Sequence, residues 1–164
     1  MTRPSFDVAW HAATKIYDPT SPAEKVAETV GGDVAAHIRD KKNPWRNTCA
    51  VRMSYILNKS AVVIPGMAGK TKKGRSGQNY FYRVRDLIAF LKLKWGAPEI
   101  VNYPPSGGGP LIGKTGVILF EVQGWSDANG HATLFNGRTC YDACYFNEPE
   151  ATYRTTKANF WELE

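Results

Sequence analysis

The sequence predicts an α+β fold, with helices in the N-terminal part and antiparallel strands later. Three observations carry that reading. Apolar residues recur at three- and four-residue spacing before residue 96. A β-branched and aromatic run at 116–122 then follows a glycine- and proline-rich loop at 104–110. Finally, Asn136-Gly137 separates two short runs, and Asn-Gly is the strongest short hairpin signal because both residues accept positive φ.

In chain order, Ser21 caps a helix with Pro22 at its first position, running to about Val30. Gly31-Gly32 interrupts it, and Val34-Ala-Ala-His-Ile38 resumes helical character until Asp40. Asn43-Pro-Trp-Arg-Asn47 is turn-rich, and Asn47 suits an N-cap. The helix it opens, Thr48 to Leu57, is apolar almost all round and therefore belongs at the centre of the domain. Residues 66–77 form a basic, glycine-rich loop. A third helix runs from Tyr82 to Trp95, with Val84, Leu87, Ile88 and Leu91 on one face. Gly96 and Pro98 stop it. After the strand at 116–122, a turn at 126–130 leads into the strand carrying His131. The stretch 156–164 is too short to assign.

At 164 residues the chain is long enough for one domain, residues 1–164, with a substantial core. A hydrophobic content of 43% with 12% aromatics excludes disorder. No apolar run approaches the roughly 18–20 residues that span a bilayer, so no membrane role is expected. The opening Met-Thr-Arg-Pro-Ser-Phe-Asp lacks the apolar stretch of a secretory signal peptide. A net charge of +6 favours an anionic partner. The basic run Lys70-Thr-Lys-Lys-Gly-Arg75 lacks the interleaved aromatics of a nucleic-acid platform, so no nucleic acid is expected. Three histidines without ligand spacing, and a Cys-x-x-x-Cys without a second pair, predict neither metal nor other cofactor.

The candidate chemistry lies elsewhere. With Asn47 as cap, Cys49 falls in the first helical turn, where free amides and the positive end of the helix dipole favour a thiolate. The same amides, that of Cys49 first, offer an oxyanion site. A two-residue Asn136-Gly137 loop pairs Phe135 with Arg138, Thr133 with Cys140, and His131 with Asp142. Opposed residues share a face with β-carbons about 4.5–5.5 Å apart, close enough for a carboxylate to orient an imidazole. Together the three residues read as a thiol hydrolase. Trp45, Asn47, Ser126 and Gly130 are the candidate cleft residues.

Three blocks carry a resemblance: Asn47-Thr-Cys-Ala-Val-Arg-Met-Ser-Tyr-Ile-Leu-Asn58, Gly124-Trp-Ser-Asp-Ala-Asn-Gly-His-Ala-Thr-Leu-Phe135 and Cys140-Tyr-Asp-Ala-Cys-Tyr-Phe146. Over its whole length the chain resembles the fourth family of type VI secretion amidase effectors, which are NlpC/P60-like, papain-related toxins. The resemblance implies Cys49 as nucleophile, His131 as base and Asp142 as orienting acid. The substrate implied is the peptidoglycan peptide stem, cut at the γ-D-glutamyl–meso-diaminopimelate bond. The implied partners are the type VI apparatus and a dimeric periplasmic immunity protein, and the implied site of action is a rival cell's periplasm. The loop at 67–77 matches least well.

The resemblance further implies a Cys140–Cys144 disulfide. Residues four apart in a strand lie roughly 13 Å apart, whereas a disulfide needs α-carbons about 4.4–6.8 Å apart. The chain must therefore leave the ladder near Cys140, placing Asp142 in a pinned loop. Two other readings of the residues remain open. One is a non-catalytic basic module that binds an anionic polymer through 70–75 and buries Cys49 as an inert thiol. The other is a thiol transferase or protease using the same triad.

Overall fold

A computed structural model describes residues 2–126 and 128–164. Among the described residues, five α-helices and six strands follow in the order expected of an α+β chain. Helix α1 (Phe6–Ile16) is capped by Ser5, whose hydroxyl accepts the Val8 N–H at 3.3 Å. The sequence pattern does not announce it, because its buried stripe of Ala9, Ala12, Ala13 and Ile16 is mostly alanine. Helices α2 (Pro22–Val30) and α3 (Gly32–Ile38) break where the glycine pair predicts, with Gly31 at φ 65°. Helix α4 (Cys49–Lys59) is buried at every position from Cys49 to Leu57, as an all-round apolar helix should be. Helix α5 is Val84–Trp95.

Strands β1 (Thr71–Lys73) and β2 (Asn79–Phe81) form a small hairpin. Part of the predicted 66–77 loop is therefore paired strand. Ser54 in α4 binds it through the Phe81 N–H, which donates to Oγ at 2.9 Å. The main sheet contains β3 (Glu99–Asn102), β4 (Gly116–Gln123), β5 (Gly130–Phe135) and β6 (Arg154–Glu162) in the antiparallel order β3-β6-β4-β5. Strand β6 runs through the 156–164 stretch that the sequence pattern does not assign, and it is central to the sheet.

Alternation along β4 sorts the two cores. Val117 and Leu119 join Ala132, Leu134 and Trp161 against the helices. Ile118, Phe120 and Val122 join Ala158 and Phe160 on the opposite face, covered by Leu111 and Phe146. Burying each such large side chain stabilises the fold by about 1.5–3 kcal/mol. Gly130 opens β5 opposite Glu121, and a β-carbon there would lie 2.4 Å from the Phe120 carbonyl oxygen. The predicted 126–130 turn includes Asp127, which lies outside the described residues.

The Asn136-Gly137 turn forms, but with a different register from the predicted one. Phe135 bridges to Cys140, and the Asn136 N–H donates to the Thr139 carbonyl at 3.0 Å. Asn136 Oδ1 accepts the N–H groups of Arg138 (3.0 Å) and Thr139 (2.8 Å), closing a four-residue turn. An asparagine side chain that can mimic a backbone turn makes this longer loop favourable. Gly137 takes φ 94° within it. Residues 138–142 accordingly do not form the second hairpin strand. Cys140 and Cys144 are bonded with α-carbons 5.3 Å apart, and Asp142 sits in the loop they close.

Candidate active site

Helix α4 begins at Cys49, with Thr48 rather than Asn47 as its N-cap residue. Asn47 acts one step earlier, its Oδ1 accepting the Cys49 N–H at 3.1 Å. This corrects two expectations: Asn47 is not the cap residue, and the Cys49 amide proposed as an oxyanion donor is occupied at rest. An asparagine reaching the amide two residues on satisfies a donor that the helix itself leaves free.

Strand β5 forms one edge of the sheet and brings His131 to the start of α4. Cys49 and His131 are only 2% and 6% exposed. His131 Nε2 lies 2.9 Å from Asp142 Oδ2, an ion-pair distance, though off the line of a straight hydrogen bond. With Nε2 turned to Asp142, Nδ1 is the nitrogen left for Cys49. The Tyr145 ring packs edge-on against the imidazole at 4.7 Å.

Asp142 is the most heavily satisfied group in the site. Its Oδ1 accepts the Thr133 hydroxyl at 2.5 Å and the Ala143 N–H at 2.6 Å. Its Oδ2 accepts Arg52 Nη2 at 2.9 Å as well as facing His131. The carboxylate side chain is 3% exposed.

The electrostatics follow from these contacts. Burial alone would push the Cys49 thiol up, but the charge and hydrogen-bonding capacity of His131, the Ala132 N–H and the Arg52 charge outweigh it and hold the thiol below its ordinary value. Burial alone would lower His131, yet the Cys49 and Asp142 charges and hydrogen bonding push it up to about 9. Burial would raise Asp142, and it is instead held at about 2 by the close approach and charge of His131, by the Thr133 hydroxyl and by the Arg52 charge. A thiolate beside an imidazolium, steadied by a carboxylate, is the form these shifts favour. Such a group can attack a carbonyl and then protonate the leaving group.

Cys49 opens onto a cleft of about 420 Å³. Of the predicted cleft residues, Asn47 and Gly130 line it. Ser126 is exposed and does not contribute to the lining. Trp45 acts indirectly, sandwiched between His37 (4.6 Å) and Tyr82 (4.7 Å), the latter in the cleft wall. The remaining wall includes Arg83, Arg85, Ile88 and Glu121, none of them among the cleft residues expected from the sequence. Arg52 was also missed. A cation in an otherwise apolar helix, one turn after the cysteine, was the available signal, since arginine is almost never fully buried unless paired.

A family model described as "Type VI secretion system (T6SS), amidase effector protein 4" matches residues 45–161, which include Cys49, His131 and Asp142. No match is found among curated proteins. Solved structures are similar over nearly the whole chain. The effector Tae4 from Enterobacter cloacae, in complex with the immunity protein Tai4, has a TM-score of 0.86 and 34% identity, covering 99% of this chain and 100% of that one. The same effector alone gives a TM-score of 0.86 and 34% identity, covering 99% and 98%. Tae4 from Salmonella typhimurium, in complex with Tai4 from Enterobacter cloacae, gives 0.85 and 35%, covering 99% and 100%. The chain therefore belongs to the type VI secretion system amidase effector 4 family and is an amidase.

Proposed function

We propose that residues 1–164 act as one papain-related amidase domain of NlpC/P60 type. Its substrate is the peptide stem of Gram-negative peptidoglycan, cut between γ-D-glutamate and meso-diaminopimelate. The observation that carries this reading is the buried Cys49–His131–Asp142 set, whose cysteine lines a cleft, in a chain of an amidase effector family.

Cys49 thiolate attacks the γ-carbonyl, and the electron pair moves onto the carbonyl oxygen. The tetrahedral intermediate collapses as the imidazolium of His131 gives its proton to the departing diaminopimelate amine. The imidazole then takes a proton from water, which attacks the thioester. Collapse of the second intermediate returns the thiolate–imidazolium pair and releases the γ-glutamyl carboxylate. Arg83, ion-paired with Asp86 at 2.8 Å, and Arg85 line the cleft beside Glu121, and Arg85 offers a cation to a carboxylate of the stem.

The relatives in complex with Tai4 support a cognate immunity protein for this chain; the same reading includes export by a type VI apparatus, action in a rival's periplasm and a dimeric immunity protein. Incubation with tetrapeptide muropeptides, followed by mass spectrometry, should yield the two halves of the stem. Cys49→Ala should abolish the products, and full turnover by that variant would refute the mechanism.

A further inference from the structure

Arg52 lies on α4 one helical turn after Cys49 and is 6% exposed. All three arms of its guanidinium are used. Nη2 donates to Asp142 Oδ2 at 2.9 Å, Nε to the Tyr141 hydroxyl at 3.2 Å, and Nη1 to Thr48 Oγ1 at 3.0 Å. The Tyr17 ring covers the cation, 5.1 Å from centroid to Cζ. Thr48 is the residue before Cys49, and Tyr141 is the residue before Asp142. The side chain thus joins the backbone neighbourhood of the nucleophile to that of the acid.

Stability alone does not account for such a pair. Burying two charges costs several kcal/mol each, and a well-packed apolar pair of similar volume is often as stable or more so. Its distinctive product is geometry. The 140–144 loop is attached to β5 by the Thr133 hydroxyl and to α4 by Arg52. Without the second attachment, Asp142 would be fixed relative to His131 but not relative to Cys49. The fork also gives Oδ2 a second cation beside His131, so the carboxylate holds the imidazole without carrying an unbalanced charge.

We propose that Arg52 is a positioning residue that locks Asp142, and through it His131, to the helix bearing Cys49. This role rests on the proposed Cys49–His131–Asp142 triad. Four variants test it: Arg52→Met, Arg52→Lys, Asp142→Asn and Arg52→Met combined with Asp142→Asn. Turnover of tetrapeptide muropeptides and iodoacetamide alkylation of Cys49 are measured on each, with folding checked by circular dichroism.

Arg52→Met should lower kcat and the alkylation rate by about 10- to 100-fold, the scale of a small misplacement of catalytic groups, while KM changes by less than about threefold. Arg52→Lys keeps the charge but not the fork, and should recover only part of that loss. In the Asp142→Asn background, Arg52→Met should slow alkylation by less than about threefold further, because it acts through the acid. A folded Arg52→Met or Arg52→Lys with wild-type kcat and alkylation overturns the proposal. So does an equal loss in both backgrounds. Should Arg52→Met fail to fold, Arg52→Lys alone decides on the same two rates. Wild-type turnover by Asp142→Asn would instead refute the triad itself.

Discussion

Replacing Asp142 by asparagine keeps the shape of the side chain and removes its charge. The four contacts of the carboxylate determine the consequences. If the asparagine oxygen takes the Oδ1 position, it still accepts from Thr133 and Ala143, but its NH2 group faces the donors of Arg52 and His131. Turned the other way, its NH2 faces the Ala143 N–H. Either orientation sets donor against donor in a buried place.

The wild-type carboxyl falls from 3.8 to about 2 on folding, worth about 2 kcal/mol in favour of the ionised form. Leaving Arg52 as an unpaired buried cation costs about 3–5 kcal/mol. The larger figure governs, and thermal unfolding should move down by roughly 10 °C for a chain of this size. Because the folded value is depressed, the wild-type contribution is present above pH 3.8 and lost as pH falls through about 2. The variant should lack that acid-side loss.

Catalysis suffers separately. His131 is held at about 9 partly by Asp142, so wild-type activity should fade as pH rises through that value and the imidazolium loses its proton. In Asp142→Asn this alkaline limb should shift to lower pH, and kcat/KM should fall about 10²- to 10⁴-fold. Muropeptide hydrolysis assayed from about pH 5 to 10 measures the catalytic effect, and thermal unfolding followed from about pH 2 to 7 measures the stability effect. A kcat/KM within about threefold of wild type, or an unmoved alkaline limb, would refute the role given to the carboxylate.

Two further substitutions probe the surroundings. Asn47→Asp keeps an acceptor for the Cys49 N–H at 3.1 Å but sets a negative charge beside the residue that must carry the thiolate. It should slow turnover by about tenfold or more while unfolding stays within about 0.5 kcal/mol, read by initial rates and urea titration. Joint replacement of Cys140 and Cys144 by serine opens a short loop, sequence separation 4, and should cost about 2 kcal/mol of stability. Since Thr133 and Arg52 still hold Asp142, its kcat should fall less than that of Asp142→Asn when the two are assayed side by side.

The helices nearest Cys49 were legible because both their composition and their stops are strong. Helix α4 is apolar on every side and α5 is amphipathic, ended by Gly96 and Pro98. Helix α1 was not legible, since alanine at its buried positions gives little contrast with a solvent face. Strand β6 was hidden for a related reason. It runs through Lys157 and Asn159, and Asn159 is buried because its Nδ2 donates to the Leu119 carbonyl and Glu121 Oε2. A buried polar residue whose hydrogen-bond partners are remote in sequence breaks any local pattern. The same holds for Arg52, whose partners Tyr141 and Asp142 lie about ninety residues away.

The hairpin explains why a wrong register still brought His131 and Asp142 together. The predicted two-residue loop set His131 opposite Asp142, whereas the observed bridge between Phe135 and Cys140 moves the pairing by two residues. In a strand, a shift of one residue reverses the face of every side chain, and a shift of two preserves it. Asp142 therefore stays on the face of His131 but comes opposite Thr133, whose hydroxyl it accepts. His131 becomes its diagonal neighbour, still within reach of a bent loop. The displacement also improves the site. Thr133 occupies Oδ1, which leaves Oδ2 free for two cations at once, one from the strand and one from the nucleophile's helix. In the predicted register Asp142 would have met the imidazole squarely and had no tie to α4.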